Sequence, residues 1–133
     1  MSQLTVQDRL DIQELMARYS RAIDFGRWEE LPEFFTDDCT LDFGKVMGAH
    51  HGKEAVRGFA SMLAGTGLTM RHYVTNCIIT GSSEAAEATT YVLAFTGQKG
   101  SLAPTTGRYE DTLRKTNGRW LLHERRGIIE LPG

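Results

Sequence analysis

Two ionisable side chains stand where local secondary structure does not explain them, and both could serve acid–base chemistry. Asp24 lies at the end of the first predicted helix, where the negative end of the helix dipole repels a carboxylate. Either a group outside the helix uses this carboxylate, or it is simply exposed. His72 opens a β-branched segment, and an imidazole, whose ordinary pKa is about 6.5, can accept a proton at neutral pH. The alternative for His72 is a partly exposed residue at the start of a strand.

The strand that His72 opens carries polar groups among apolar ones. Strict alternation places one set of side chains on a single face: His72, Val74, Asn76 and Ile78. An inner sheet face covered by helices should be mostly apolar. The sequence therefore predicts that Asn76 shares a functional face with His72.

A second mixed face lies further along the chain. Tyr109, Asp111 and Leu113 alternate on one predicted strand, and Arg125 and Arg126 follow on the next. Either arginine could form a structural ion pair with Asp111. The alternation of residues does not show which face of the last strand points inward, because neither face is purely apolar.

Other catalytic or metal-binding patterns are weak. His50 and His51 lie in a glycine-rich segment without a third ligand at useful spacing, so an exposed loop without metal is expected. Cys39 and Cys77 have neither zinc nor CxxC spacing and are expected to be free thiols. The sequence contains no nucleophile elbow, dinucleotide fingerprint or phosphate loop. Acid–base chemistry without a cofactor is the most economical enzymatic interpretation.

The elements that must position these residues change character along the chain. The first half predicts three helices and a short strand, with a loop over Gly44–Gly52. The first helix runs from N-cap Thr5 to Asp24 and ends before Gly26. The second and third predicted helices cover Trp28–Phe35 and Lys53–Leu63, and the short strand covers Cys39–Phe43.

The second half alternates with period two and predicts four strands in sequence. Asn117-Gly118 is typical of a two-residue hairpin. The predicted strands cover His72–Thr80, Glu87–Phe95, Gly107–Thr116 and Arg119–Ile129. Helices followed by sequential strands predict an α+β fold with an antiparallel sheet.

Length and charge narrow the function classes. The 133 residues predict one domain spanning residues 1–133. A net charge of −2 without a basic stripe argues against nucleic-acid binding. The sequence shows no secretory signal and no apolar run long enough to span a membrane, so we expect a cytoplasmic protein without membrane contacts.

Several of these segments together resemble a SnoaL-like domain. They are Ala17–Trp28, Phe34–Asp38, Gly52–Val56, Met70–Asn76, Gly107–Leu113 and Asn117–Trp120. The resemblance implies the nuclear-transport-factor-2-like superfamily, which includes polyketide cyclases, scytalone dehydratase and hexachlorocyclohexane dehydrochlorinase. It implies a strongly curved antiparallel sheet and three helices in the N-terminal half, forming a cone-shaped apolar pocket.

The resemblance also assigns roles to residues. In the dehydrochlorinase, an aspartate at the end of the first helix orients a histidine at the start of a strand, and Asp24 and His72 stand at matching positions. It implies that Asp24 and His72 are catalytic. The residues expected to bind the substrate are Tyr19, Trp28, Phe43, Phe59, Asn76, Tyr109 and Arg125.

Two hypotheses of function follow from this resemblance. The first is a cofactor-independent lyase or isomerase that uses the Asp-His dyad as a general base on a small hydrophobic cyclic substrate. The second is a non-catalytic ligand-binding or oligomer-assembly module, such as a protein similar to the small subunit of a dioxygenase. Under either hypothesis we expect a homodimer or higher homo-oligomer, because the predicted strands leave large apolar residues on an uncovered sheet face.

Overall fold

The computed structural model describes residues 2–131 and contains helices mainly in its first half. The helices are α1 (Val6–Asp24), a 3-10 helix (Trp28–Phe34), α2 (Gly44–Met47) and α3 (Lys53–Gly65). No helix within residues 2–131 is long and apolar enough to cross a membrane. The predicted loop over Gly44–Gly52 is wrong in part, because it contains α2 and a short strand.

Six strands form one open sheet. They are β1 (Phe35–Asp42), β2 (Ala49–His51), β3 (Thr69–Gly81), β4 (Ala85–Gln98), β5 (Ser101–Thr116) and β6 (Arg119–Leu131). The strand order is β2-β1-β6-β5-β4-β3. The α+β class is confirmed, and β3 to β6 form the predicted antiparallel meander. The pairing of β1 with β6 is parallel, which the local alternation of residues could not show.

The long helices cover one face of this sheet and enclose the core. Apolar side chains of α1, such as Ile12 and Met16, meet those of α3, such as Val56, and of the inner strands, such as Leu122. Each of these four side chains is almost completely buried. Burial of apolar surface of this kind is the main contribution to folding and holds α1 and α3 against the sheet.

The hairpin between β5 and β6 confirms the sequence prediction. Asn117 and Gly118 have φ angles of 52° and 78°. Two positive φ angles in sequence define the turn whose twist matches the flanking strands. The turn sets the register that brings β6 beside β5.

A β-bulge interrupts β3 a few residues after His72, between Thr75 and Ile78. Thr75 pairs with Tyr91 and Ile78 pairs with Thr89, so two residues of β3 oppose one residue of β4. Asn76 has a φ of 54°, which asparagine tolerates better than most residues. The prediction that Asn76 and Ile78 share the inner face with His72 is therefore wrong. Asn76 and Ile78 are exposed instead.

The first turn of α1 holds a buried carboxylate that ties the helix to the end of the sheet. The Thr5 hydroxyl accepts from the Asp8 backbone N–H at 2.9 Å, and Asp8 accepts from the Thr5 N–H at 2.9 Å. The indole N–H of Trp120 and the Lys115 ammonium also donate to Asp8, at 3.1 and 3.0 Å. The backbone N–H of Thr5, then Trp120 and Lys115, hold the pKa of Asp8 well below its usual range.

The substitution Asp8→Asn is expected to destabilise the protein most at neutral pH. A carboxylate whose pKa is lowered on folding stabilises the native state above its unfolded pKa, which is about 3.9, and this contribution is lost as the pH falls. The difference in free energy of unfolding between wild type and variant should therefore shrink from pH 7 to pH 3. Urea denaturation at both pH values measures it, with exposed Asp11→Asn as the control. An equal difference at both pH values would contradict the assignment.

Candidate active site

A cavity of about 270 Å³ lies between the inner face of the sheet and helices α1 and α3. Its walls are mainly apolar, with side chains that include Ile23, Phe43, Phe59, Leu63, Met70 and Val92. His72, Tyr19 and Tyr109 bring polar atoms to the same cavity. An apolar pocket with a few convergent polar groups is the usual form of a small-molecule site.

Asp24 and His72 are joined by two hydrogen bonds at the wall of this cavity. The imidazole Nδ1 lies 2.6 Å from Asp24 Oδ1, and the backbone N–H of His72 donates to Asp24 Oδ2 at 2.8 Å. The side chains are 3% and 11% exposed for Asp24 and His72, respectively. An ionised carboxylate only accepts hydrogen bonds, so Nδ1 carries the proton. In the neutral ring, this tautomer leaves a lone pair on Nε2, and His72 lines the cavity.

The position of Asp24 at the end of α1 is explained by these two bonds. The helix stops there because Gly26 has a φ of 69°, and the Arg27 N–H caps the Ala22 carbonyl at 2.7 Å. Two N–H donors from His72 offset the repulsion of the helix terminus for a carboxylate. The open question of whether Asp24 is exposed or used by another element is therefore settled in favour of β3.

The buried ion pair predicted around Asp111 is formed by Arg125. Arg125 Nε and Nη2 donate to the two Asp111 oxygens at 2.8 and 2.9 Å, and both side chains are fully buried. Arg126 is exposed and pairs with Glu110 at 3.1 Å. Arg125 therefore lies behind the cavity wall and does not line it.

Two tyrosine rings separate Arg125 from the cavity. The guanidinium carbon lies 3.9 Å from the centroid of the Tyr109 ring and 4.3 Å from that of Tyr19. Burial raises the pKa of both phenols, while the charge of Arg125 opposes the rise. Both hydroxyls are thus protonated donors at neutral pH. Arg125 also acts on the Tyr19 hydroxyl as a hydrogen-bond donor, and among the residues that the structure describes no group accepts the proton of that hydroxyl.

Aromatic rings form the opposite part of the wall. Phe43 stacks on Phe59 with centroids 5.5 Å apart, and the His50 ring lies 4.7 Å from that of Phe59. His51 turns the other way and bonds the Thr40 hydroxyl at 3.2 Å, because adjacent residues of a strand point to opposite faces. Within residues 2–131, no group of three or more metal-ligating side chains is present. His50 therefore packs against Phe59, a residue of the aromatic wall, without lining the cavity itself, and the sequence interpretation missed this contact.

The structure gathers most, but not all, of the predicted site residues. Those that line the cavity are Tyr19, Phe43, Phe59, His72 and Tyr109. Trp28 packs against the core without lining the cavity, Asn76 is turned outward by the bulge, and Arg125 acts from behind. Met70 and Val92 line the cavity and were not predicted, although Met70 continues the alternation of His72 backwards along β3.

Comparison with known proteins agrees with this architecture. A family model described as a SnoaL-like domain matches residues 4–126. The resemblance noted in the sequence, and the nuclear-transport-factor-2-like fold that it implied, are thereby confirmed.

Solved structures resemble the chain over nearly its whole length. A candidate aromatic ring hydroxylase from Novosphingobium aromaticivorans has a TM-score of 0.87 and 27% identity, and the match covers 98% of this chain and 94% of that one. A protein of unknown function with a cystatin-like fold from Nostoc punctiforme has a TM-score of 0.85 and 29% identity, over 99% and 97%. A candidate scytalone dehydratase from N. aromaticivorans has a TM-score of 0.84 and 25% identity, over 95% and 86%.

Proposed function

The chain belongs to the family of SnoaL-like domains, and on this basis we propose that it is a cofactor-independent lyase or isomerase. The observation that carries the proposal is the Asp24–His72 hydrogen bond at the wall of an apolar cavity. In this proposal His72 is the general base and Asp24 holds it in place. The substrate is a small hydrophobic cyclic compound.

The proposed chemistry begins with transfer of a proton to His72. Nε2 takes the proton from a substrate carbon, and the electron pair left behind moves toward an oxygen of the substrate. The imidazolium that forms is stabilised by Asp24, whose carboxylate already accepts from Nδ1. In a lyase the electron pair then returns to form a carbon–carbon double bond as the carbon–hydroxyl bond breaks, and the imidazolium gives its proton to the departing hydroxyl, which leaves as water. In an isomerase the proton returns to a different carbon. General-base catalysis of this kind is worth roughly 10²–10⁴ in rate.

The size and lining of the cavity support the proposed substrate class. A volume of about 270 Å³ suits a ligand of one or two rings, and the apolar wall strengthens the interactions of the dyad by excluding water. Two structural neighbours carry the names scytalone dehydratase and aromatic ring hydroxylase, which are consistent with ring substrates.

Proton abstraction can be tested before the natural substrate is known. The protein is incubated in D₂O with a panel of one- and two-ring ketones and hydroxyketones, and products are analysed by mass spectrometry. We expect deuterium incorporation, dehydration or double-bond migration with wild type and not with His72→Ala. The proposal fails if wild type and His72→Ala behave alike toward every compound.

A second candidate function is that of a non-catalytic ligand-binding or assembly module. The outer face of the sheet favours it, because a patch of apolar residues lies there uncovered. This outer patch consists of Tyr73, Ile78, Tyr91 and Leu93, which are 36–67% exposed. Thr75 and Tyr91, and Tyr73 and Leu93, are direct partners across β3 and β4, so the patch is contiguous. The D₂O experiment distinguishes this function from that of an enzyme, because a non-catalytic module should behave like His72→Ala toward every compound.

The outer patch also supports a homodimer under either function. Beside it, on β5 and β6, Arg108 pairs with Glu110 and Glu130 at 3.1 and 2.7 Å, so the patch is bordered by charges of both signs. An apolar centre with a mixed polar rim suits a self-complementary two-fold interface.

The substitution Tyr91→Lys is expected to convert the proposed dimer into a monomer. A lysine at the centre of the patch would bring like charges together across a two-fold axis and remove a large apolar contact. Size-exclusion chromatography with light scattering measures the mass, and Leu10→Lys, at an exposed apolar position on α1, serves as the control. A monomeric wild type at all concentrations, or a Tyr91→Lys dimer, would rule out this interface.

A further inference from the structure

A positive charge is buried beneath the polar part of the cavity without reaching it. Arg125 is fully buried, and its guanidinium carbon lies 4.3 and 3.9 Å from the ring centroids of Tyr19 and Tyr109, in the corner formed by these two rings, which meet edge to face at 79°. Asp111 takes its Nε and Nη2 protons, and Nη2 also lies 2.8 Å from the Met16 sulfur. Nη1 has no partner of ordinary hydrogen-bond geometry among residues 2–131, and the Tyr19 hydroxyl is a polar group on which the Arg125 guanidinium acts as a donor.

Stability alone is a poor explanation for this arrangement. Moving both charges out of water is costly, and buried ion pairs replaced by apolar residues of similar volume often leave stability unchanged or higher. Neither side chain of the pair reaches the surface of the protein. Asp111 is the charged group that is hydrogen-bonded to Arg125, and no second one is found among residues 2–131. The nearest groups on which the cation acts are the two phenol rings that line the cavity.

We propose that Arg125 is a positioning residue that fixes the Tyr19 and Tyr109 rings and polarises their hydroxyls as donors to one oxygen atom of the ligand. The ligand class is an apolar ring compound that carries a carbonyl or enol oxygen. This inference rests on the proposed function for the identity of the reaction. The donor site itself does not depend on the role of His72.

The electrostatics favour a hydrogen-bond donor over an ionised phenol. A cation against the face of an aromatic ring draws electron density from it, which strengthens the O–H group as a donor. The charged groups that act on Tyr109 are Arg125, which lowers its pKa, and Asp111 and Asp24, which raise it, together with the Tyr19 phenol. Burial, the largest influence, raises the pKa, so the hydroxyl stays protonated.

The Tyr19 hydroxyl is the strongest sign that a ligand oxygen belongs here. Tyr19 is completely buried and lines the cavity, and the polar group that its hydroxyl meets among residues 2–131 is the Arg125 guanidinium, which can donate to it but cannot accept its proton. A buried O–H group without an acceptor is costly, so an acceptor is expected when the site is filled. Placing a carbonyl oxygen at the tyrosines stabilises the negative charge that develops there when His72 removes a nearby proton.

The first test measures polarisation without any ligand. A multiply fluorinated tyrosine, which ionises at lower pH than tyrosine, is incorporated at position 109 and titrated by ¹⁹F NMR. In the double variant Arg125→Met/Asp111→Leu we expect its ionisation equilibrium to become roughly threefold to tenfold less favourable. In Asp111→Asn, which leaves the cation without its counter-charge, we expect the opposite shift. Fluorotyrosine at position 91, which lies on the outer patch away from the cavity, is the control and should titrate alike in all variants whether or not the patch is covered in a dimer.

The second test asks whether the cavity prefers a ligand oxygen. Binding of 1-tetralone, a two-ring ketone, is compared by calorimetry with that of tetralin, which has the same rings without oxygen. A carbonyl only accepts hydrogen bonds, so Nε2 of a neutral His72 cannot produce the preference, and His72→Ala removes any contribution of a protonated ring. We expect wild type to prefer the ketone by about tenfold, and Tyr19→Phe and the Arg125→Met/Asp111→Leu variant to lose most of it.

The outcomes separate this inference from the proposed function. Opposite shifts in the two titrations and a ketone preference that survives in His72→Ala support the donor site, whether or not His72 is a catalytic base. Unchanged titrations in both variants would overturn it. Equal binding of ketone and hydrocarbon by wild type, or no binding of either up to their solubility limits, would also overturn it.

Discussion

Replacement of Asp24 by asparagine is expected to reduce turnover by roughly 10²–10⁴, the contribution of a positioned general base, while the fold is retained. The backbone N–H of His72, which donates to Asp24 Oδ2, can only donate. The amide oxygen of the introduced asparagine must therefore take this place, which turns its NH₂ group toward Nδ1. Nδ1 then accepts, the ring proton moves to Nε2, and the lone pair on Nε2 is lost. The measurement is kcat on a substrate found in the D₂O experiment.

The control for this prediction is another aspartate near a histidine. Asp38 is exposed and lies 3.5 Å from the His123 ring, outside the cavity, so Asp38→Asn should leave kcat unchanged. His72→Ala and the double variant His72→Ala/Asp24→Asn should be equally slow, because residues that act as a unit are not additive. Full activity of Asp24→Asn, with the wild-type thermal unfolding curve, would reject the dyad.

Local patterns in the sequence predict most of the elements. The stripe of α1 and the threonine at its start fix a helix that buries Ile12 and Met16, and Asn117-Gly118 requires a tight hairpin. The electrostatic conflict at Asp24 correctly indicated a partner outside the helix, and the structure supplies His72. These signals act within a few residues of the chain, which is why the sequence alone displays them.

The errors come from bulges and from contacts distant in sequence. Asn76 is an ordinary polar residue in an alternating strand until its positive φ is known, and that angle reverses the parity of everything after it. A second register shift lies between β5 and β6, since Thr112 pairs with Glu124 but Leu113 with Leu122. This shift explains why no clean face was found in β6. It places Arg125 on the same inner side as Leu122.

The contact of Arg125 with both tyrosine rings could not be predicted for a related reason. Tyr19 lies on α1, Tyr109 on β5 and Arg125 on β6, so the arrangement depends on three elements brought together by the complete fold. The sequence could offer only the complementary charges of Asp111 and two adjacent arginines. Burial decided between those arginines, because Arg126 is exposed and paired elsewhere.

The substitution Arg125→Met is expected to lower the free energy of unfolding by about 3–5 kcal/mol, the usual cost of breaking a buried ion pair by removing one partner. Asp111 would remain fully buried without the two N–H donors at 2.8 and 2.9 Å that now offset its desolvation. The loss is a large part of the roughly 5–15 kcal/mol that stabilises a typical domain. Urea denaturation followed by circular dichroism measures it.

The double variant Arg125→Met/Asp111→Leu separates the cost of a lone charge from the value of the pair. Two apolar side chains of similar volume leave no buried charge, so we expect most of the lost stability to return. Arg126→Met is the matched control, since Arg126 is exposed and its pair with Glu110 should contribute no more than about 1 kcal/mol. If the double variant were as unstable as Arg125→Met, the packing of Arg125 against Tyr19 and Tyr109 would itself stabilise the fold. A double variant with wild-type stability, together with a lost preference for the ketone, would mean that the ion pair serves the cavity.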